Sequence, residues 1–104
     1  MSFNIGRFRG FGSPPAITIW PQSQDVACHA TVQFTVAGDS VTQYQWRHEN
    51  SVIADGATYS GTHTAVLSIL DANPELVGTY DCILFNACGV TISPAATLSV
   101  SPCR

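Results

Sequence analysis

The residues of this 104-residue chain that could carry chemistry are four cysteines and three histidines. They are Cys28, Cys82, Cys88, Cys103, His29, His48 and His63. A metal site needs such ligands clustered at a usable spacing, and the sequence contains no C-x-x-C pair. Cys28 and His29 form the one close pair, but neighbouring residues of a strand point to opposite faces. We therefore predict surface histidines, with neither a metal site nor a cofactor.

The sequence does not indicate a catalytic site either. A nucleophilic triad needs Ser or Cys, a base and an orienting acid, and no nucleophile elbow surrounds any candidate. The seven acidic residues are scattered over predicted turns and outward faces, and no Gly-rich phosphate loop opens a helix. We predict that the protein is not an enzyme.

Charge argues against nucleic acid as a partner. From position 16 onward seven acidic residues face two arginines, a net charge of −5, whereas the first fifteen residues carry +2. Nucleic-acid binding depends on Lys and Arg that neutralise phosphates, so we predict that the acidic part of the chain, from position 16 onward, does not bind nucleic acid. No apolar run reaches the roughly 18–20 residues of a membrane-spanning helix, and no membrane insertion is expected.

Composition divides the chain into residues 1–15, an extended N-terminal arm, and residues 16–104, a folded domain. The arm contains Gly6, Gly10 and Gly12 and closes with Pro14 and Pro15, which argue against a regular element. It interleaves apolar side chains with two arginines, and both types are enriched at interface hot spots. We predict that these arm residues bind a protein partner: Phe3, Ile5, Arg7, Phe8, Arg9 and Phe11. The alternative is a tail without function.

The folded part is predicted to be all β. Residues 31–37, 41–48, 65–70 and 78–86 alternate between apolar and polar, which is the period of half-buried strands. Strands are also expected at 16–20, 24–27 and 90–100, and the polar segment 50–64 is expected to be a loop with one short edge strand. Seven or eight short strands separated by turn residues are typical of a sandwich or a barrel.

Five motifs in this order resemble an immunoglobulin-like domain of the I-set or bacterial repeat type, as found on bacterial surface proteins and phage virions. They are YQW at 44–46, SGTHTAVLSI at 60–69, ELVGTYDC at 75–82, NACG at 86–89 and AATLSV at 95–100. The resemblance covers residues 16–101 and implies a Greek-key β-sandwich of seven to eight strands that follows the extended arm.

The resemblance also implies roles for core residues. Trp46 resembles the tryptophan between the sheets, Tyr80 the tyrosine corner, and Cys82 one half of the inter-sheet disulfide. The position of the other half falls at Val36, so this bridge is expected to be absent and Cys82 to be a buried thiol. The expected core comprises Phe34, Val36, Trp46, Leu67, Ile69, Tyr80 and Cys82.

Four cysteines allow three full pairings, and the sequence leaves them open. In the implied fold Cys28 and Cys103 lie at the same end of the sandwich, so a Cys28–Cys103 bridge is plausible in an oxidising compartment. Cys88 would lie at the opposite end, in a hairpin.

One face of the implied sandwich is a candidate contact surface. Ile83 and Phe85 alternate with core residues and should point outward, beside the outward residues Gln43, Gln45 and Arg47. An exposed aromatic–aliphatic pair on a sheet often marks a contact site. The alternatives are that these are ordinary scattered apolar residues of a surface or that the arm folds back over them.

These observations predict a non-enzymatic structural or display module. The arm would anchor it to its own copies or to a larger particle or filament, such as a phage virion, and the sandwich would bind cell-surface protein or carbohydrate weakly. The alternative is one repeat of a secreted or cell-surface bacterial adhesin. The segment after Met1 lacks the apolar stretch of a secretory signal, and the expected location is a virion, the extracellular space or a cell surface.

Overall fold

Alternating apolar and polar residues form eleven short strands in residues 13–103, the part of the chain that the computed structural model describes. The strands are β1 (Ala16–Ile19), β2 (Gln24–Val26), β3 (Val32–Thr35), β4 (Ala37–Asp39), β5 (Gln43–His48), β6 (Ser51–Val52), β7 (Tyr59–Ser60), β8 (Val66–Ile69), β9 (Gly78–Asn86), β10 (Gly89–Ile92) and β11 (Ala96–Val100). A 3-10 turn at Pro74–Leu76 precedes β9. Within this range no helix is long and apolar enough to cross a membrane.

The strands form two layers. The larger sheet has the order β2-β11-β9-β5-β6, and β10 pairs with β9. The other layer contains the sheet β3-β8-β7 and the pair β1-β4, and β4 follows β3 after one residue. The prediction of an all-β sandwich is therefore confirmed.

The core lies between these layers and is made by the inward residues of each strand. In β9, for example, Tyr80, Cys82 and Leu84 are fully buried, whereas Ile83 and Phe85, which alternate with them, are only partly buried. All seven residues expected in the core are at most 1% exposed.

Three aromatic rings fill the centre of the core. The ring centroids of Phe34 and Trp46 are 6.5 Å apart, and those of Phe34 and Tyr80 are 5.3 Å apart. Trp46 also donates from Nε1 to the carbonyl of Thr64 at 2.7 Å. Cys82, the register partner of Trp46, is buried and makes no disulfide. Aromatic packing thus joins the two layers where related sandwiches carry an inter-sheet bridge.

The Tyr80 hydroxyl has the role that the resemblance implied. It donates to the carbonyl of Leu76 at 2.6 Å, four residues upstream, and so ties the 3-10 turn to β9. Asn73 caps this turn by accepting from the Glu75 amide at 2.9 Å. The pKa of Tyr80 is raised above its ordinary value, mainly by burial, so the hydroxyl stays protonated and remains a donor.

Two predicted strands are interrupted in the structure. Segment 31–37 breaks at Val36, because β3 pairs with β8 whereas β4 pairs with β1. Segment 90–100 breaks between β10 and β11, where Ser93 bonds Cys82 through both its amide and its hydroxyl, at 2.8 and 2.9 Å, and Pro94 follows without an amide donor. These breaks, and an additional edge strand in segment 50–64, raise the strand count above the expected seven or eight.

Candidate functional site

The register between β9 and β10 assembles an apolar patch on the outer face of the larger sheet. Phe85 of β9 faces Val90 of β10, and Ile83 faces Ile92. Because Cys82 and Leu84 point into the core, the residues that alternate with them point outward. We call Ile83, Phe85, Val90 and Ile92 the apolar block. Val90 is 53% and Ile92 50% exposed, a high exposure for adjacent branched side chains.

A cavity of about 540 Å³ lies next to the apolar block. Strand β6 pairs only with Arg47 and His48 and ends at Val52, so the cavity opens beside the first half of β5. It is lined by Thr42, Gln43, Tyr44, Gln45, Val52, His63, Ile83 and Phe85. Gln45 is held in place because its side-chain amide donates to the carbonyls of Trp46 and Ile53, at 2.7 and 2.9 Å. The cavity therefore has a fixed polar wall and an apolar floor.

An ion pair bounds the apolar block at the far end of β5 and β9. Arg47 donates from Nε and Nη2 to the two carboxylate oxygens of Asp81, at 2.8 and 2.7 Å. The two side chains are only 17% and 11% exposed, and hydrogen bonding to Asp81 raises the pKa of Arg47. The guanidinium that we predicted as part of a contact surface is thus committed to Asp81 inside this chain.

The predicted contact residues on the sheet fall on one surface. Gln43 faces Phe85 and Gln45 faces Ile83 across β5 and β9, and both pairs line the cavity. The predicted arm residues, Phe3, Ile5, Arg7, Phe8, Arg9 and Phe11, lie outside the described residues. The adjoining segment is held against the same sheet, because Asn86 donates to the carbonyl of Ser13 at 2.9 Å and Thr91 to that of Pro15 at 2.6 Å.

Sequence reasoning missed half of the apolar block, Val90 and Ile92. The signal was present in the turn between β9 and β10, where the Asn86 side chain accepts from the amides of Cys88 and Gly89, at 2.7 and 3.1 Å. Once this turn is placed at Asn86, counting outward sets Val90 opposite Phe85.

A second cluster lies near the C-terminal end of β11. Cys28 and Cys103 form a disulfide with 5.2 Å between their Cα atoms. His29 lies beside it: one ligand atom from each of the three residues falls within 4.8 Å of the others. The prediction that Cys28 and His29 point to opposite faces of a strand is wrong. They occupy a turn in which His29 has a φ of 73°, so the alternation of a strand does not apply.

Comparison with known proteins agrees with the fold. A family model described as "Immunoglobulin domain" matches residues 14–86. The titin M4 domain is 26% identical, with a TM-score of 0.74 over 86% of this chain and 97% of that one. The tandem Ig repeats of Dlar are 24% identical, with a TM-score of 0.77 over 98% of this chain and 55% of that one.

Two curated proteins also match in sequence. The human protein "Cell adhesion molecule-related/down-regulated by oncogenes" is 28% identical over 91 residues, and its mouse counterpart is 26% identical over 91 residues. Each match covers 88% of this chain but 7% of the relative. The chain thus spans a small part of the length of these relatives.

Proposed function

Since the chain belongs to the immunoglobulin domain family, we propose that it is a non-catalytic adhesion module that binds a protein on an opposing cell surface through its apolar block. The carrying observation is the block itself, in which Val90 and Ile92 are about half exposed beside Phe85 and a cavity. Isolated apolar residues are normal on a surface, whereas a contiguous patch with a polar rim is typical of a contact site.

The two named curated relatives support an adhesion role and a location at the cell surface or outside the cell, because both carry a cell-adhesion name. The immunoglobulin family is generally non-catalytic, which supports a binding module over an enzyme. Neither named relative is viral or bacterial. The virion setting, the bacterial adhesin setting and anchoring by residues 1–15 therefore stay predictions from sequence.

Attachment of coated beads to cultured animal cells tests the proposal. Beads that carry the full chain should attach, and beads that carry the double variant Phe85→Ser, Val90→Ser should attach at least about tenfold less, because truncation at a hot spot typically costs 2 kcal/mol or more. The matched control is Val66→Ser, Leu70→Ser, which removes two apolar residues that are 37% and 42% exposed and lie outside the apolar block, and it should leave attachment unchanged.

Two further measurements make the result decisive. Thermal unfolding of both double variants establishes that each remains folded. Mild trypsin treatment of the cells should abolish attachment if the partner is a protein; attachment that survives would contradict the proposal and indicate a carbohydrate. Equal attachment by both double variants, or no attachment by the full chain, would also refute it.

A further inference from the structure

The cluster at Cys28, His29 and Cys103 has the composition of a metal site. Two sulfurs and one imidazole nitrogen lie within 4.8 Å of one another. In a tetrahedral zinc site, Zn–S bonds of about 2.3 Å and Zn–N bonds of about 2.1 Å place the ligand atoms roughly 3.6–3.8 Å apart. The imidazole nitrogen thus lies close to both sulfurs, and the two sulfurs, which are joined in a disulfide, would have to separate to reach this spacing.

The imidazole of His29 is oriented by a carboxylate. Its Nδ1 is 2.7 Å from Oδ1 of Asp71, which leaves Nε2 as the ring nitrogen available to a cation. The backbone is fixed as well, because the His29 amide donates to the carbonyl of Ala72 at 2.6 Å and the Ala72 amide to that of Ala30 at 2.9 Å. Metal-binding histidines almost always hydrogen-bond a carboxylate, carbonyl or water through the second nitrogen in this way.

The other two histidines are engaged elsewhere. His48 stacks on Tyr80 with centroids 4.4 Å apart and bonds the carbonyl of Val77 at 2.9 Å. His63 lies 3.3 Å from the carbonyl of Tyr44. Among residues 13–103, His29 is the one histidine that belongs to a group of three potential metal-ligating residues.

We propose that Cys28, His29 and Cys103 form a binding site for a zinc-class divalent cation when their disulfide is reduced. Two molecules of a low-molecular-weight thiol together supply two electrons and two protons, which break the S–S bond and leave two cysteine thiols, while the two reductant molecules join as a disulfide. Cation binding then releases both thiol protons and gives two thiolates and a neutral imidazole. Two sulfurs and one nitrogen favour zinc over calcium or magnesium, and a water molecule completes the tetrahedron.

The polypeptide can accommodate this change with little movement. Near the site, the Ser101 amide donates a hydrogen bond to the carbonyl of Val26 at 2.9 Å. Cys103 lies two residues after Ser101. Opening the sulfur pair from a disulfide to metal-ligand spacing needs a shift of roughly 2 Å, which the chain beyond Ser101 can supply while the turn of Cys28 and His29 stays fixed.

Cobalt titration of the full chain tests the proposal. A Cys88→Ser background removes the other exposed cysteine, and a phosphine reductant opens the disulfide without adding a competing thiol. We expect one Co²⁺ per reduced chain, with thiolate-to-cobalt absorption that Zn²⁺ displaces and that is absent from the oxidised chain. Asp71→Ala should weaken affinity by about 10–100-fold, His29→Ala should weaken it further, and the control His63→Ala should leave it unchanged.

Circular dichroism covers the case in which reduction unfolds the domain. Zn²⁺ should then restore the fold of the chain that retains His29 but not of His29→Ala, because metal binding contributes directly to folding. The proposal is refuted if the reduced chain shows no thiolate-to-cobalt absorption, if Zn²⁺ fails to refold it, or if His63→Ala weakens binding as much as His29→Ala does.

Discussion

The two tryptophans of the chain provide a direct test of how the layers are joined. Trp46 is fully buried and Trp20 is 50% exposed. Replacing a buried tryptophan with alanine costs about 3–5 kcal/mol through lost burial and the cavity left behind. In Trp46→Ala the carbonyl of Thr64 also loses its donor at 2.7 Å, which adds about 1 kcal/mol. We expect a total loss of about 4–6 kcal/mol, against less than about 1 kcal/mol for Trp20→Ala.

Denaturant unfolding followed by circular dichroism measures both values. Domains of this size have stabilities of only about 5–15 kcal/mol, so Trp46→Ala is expected to unfold at low denaturant or to be unfolded without it. Trp46→Phe then serves as a milder variant, because it keeps a ring against Phe34 but removes the bond to Thr64. A Trp46→Ala loss below about 2 kcal/mol, or an equal loss in Trp20→Ala, would contradict the central role of Trp46.

Four further predictions follow from particular contacts. Arg47→Ala leaves the nearly buried Asp81 without its bidentate partner and should lower the free energy of unfolding by about 1.5–3 kcal/mol, whereas loss of an exposed arginine costs little. Tyr80→Phe removes the bond to Leu76 and should cost about 1 kcal/mol in the same assay. Backbone amides that bond Glu49 and Asp55 lower the pKa of both carboxyls below their ordinary values of 4.5 and 3.8. The unfolded chain therefore binds more protons, so the contribution of these two carboxylates to the free energy of unfolding should be present above about pH 4.5 and be lost as the pH falls. The double variant Glu49→Gln, Asp55→Asn should flatten this decline. Burial raises the pKa of the Cys82 thiol to about 12, so in a Cys88→Ser chain a thiol reagent should label one cysteine after denaturation and none before; labelling of the native chain would place Cys82 at the surface.

The fold was predictable because its long strands keep a strict period of two around large apolar residues. The features that the sequence did not predict depend on backbone conformations with positive φ, at residues whose types do not indicate them. The turn between β5 and β6 is made by Glu49 and Asn50, with φ of 51° and 67°. Tight hairpins usually use Asn-Gly or Asp-Gly there, so this pair gave no signal. The conformation is supported from outside, because the Glu49 carboxylate accepts from the Thr79 amide at 2.6 Å.

In the candidate sites too, residues placed by strand alternation were predicted and residues brought together by turns were not. Gln43, Gln45, Ile83 and Phe85 followed from alternation within single strands, and the structure places them on one surface. Val90 and Ile92 required the register between strands, which a turn fixes. The approach of Cys28 to His29 required the positive φ of His29, a conformation that few non-glycine residues adopt. Alternation therefore predicts which way a residue points, but turns decide which residues meet.

The position of the disulfide explains how this sandwich can do without a bridge through its core. Loop-closure entropy depends on the number of residues that a bridge encloses, and Cys28 and Cys103 are 75 residues apart. Closing a loop of that size destabilises the unfolded chain by about 4 kcal/mol, which is close to the roughly 4 kcal/mol expected for an inter-sheet bridge to Cys82. The bridge at the end of the domain thus gives the same constraint on the unfolded state without occupying core volume. The centre is left to Phe34, Trp46 and Tyr80, whose rings pack between the two layers.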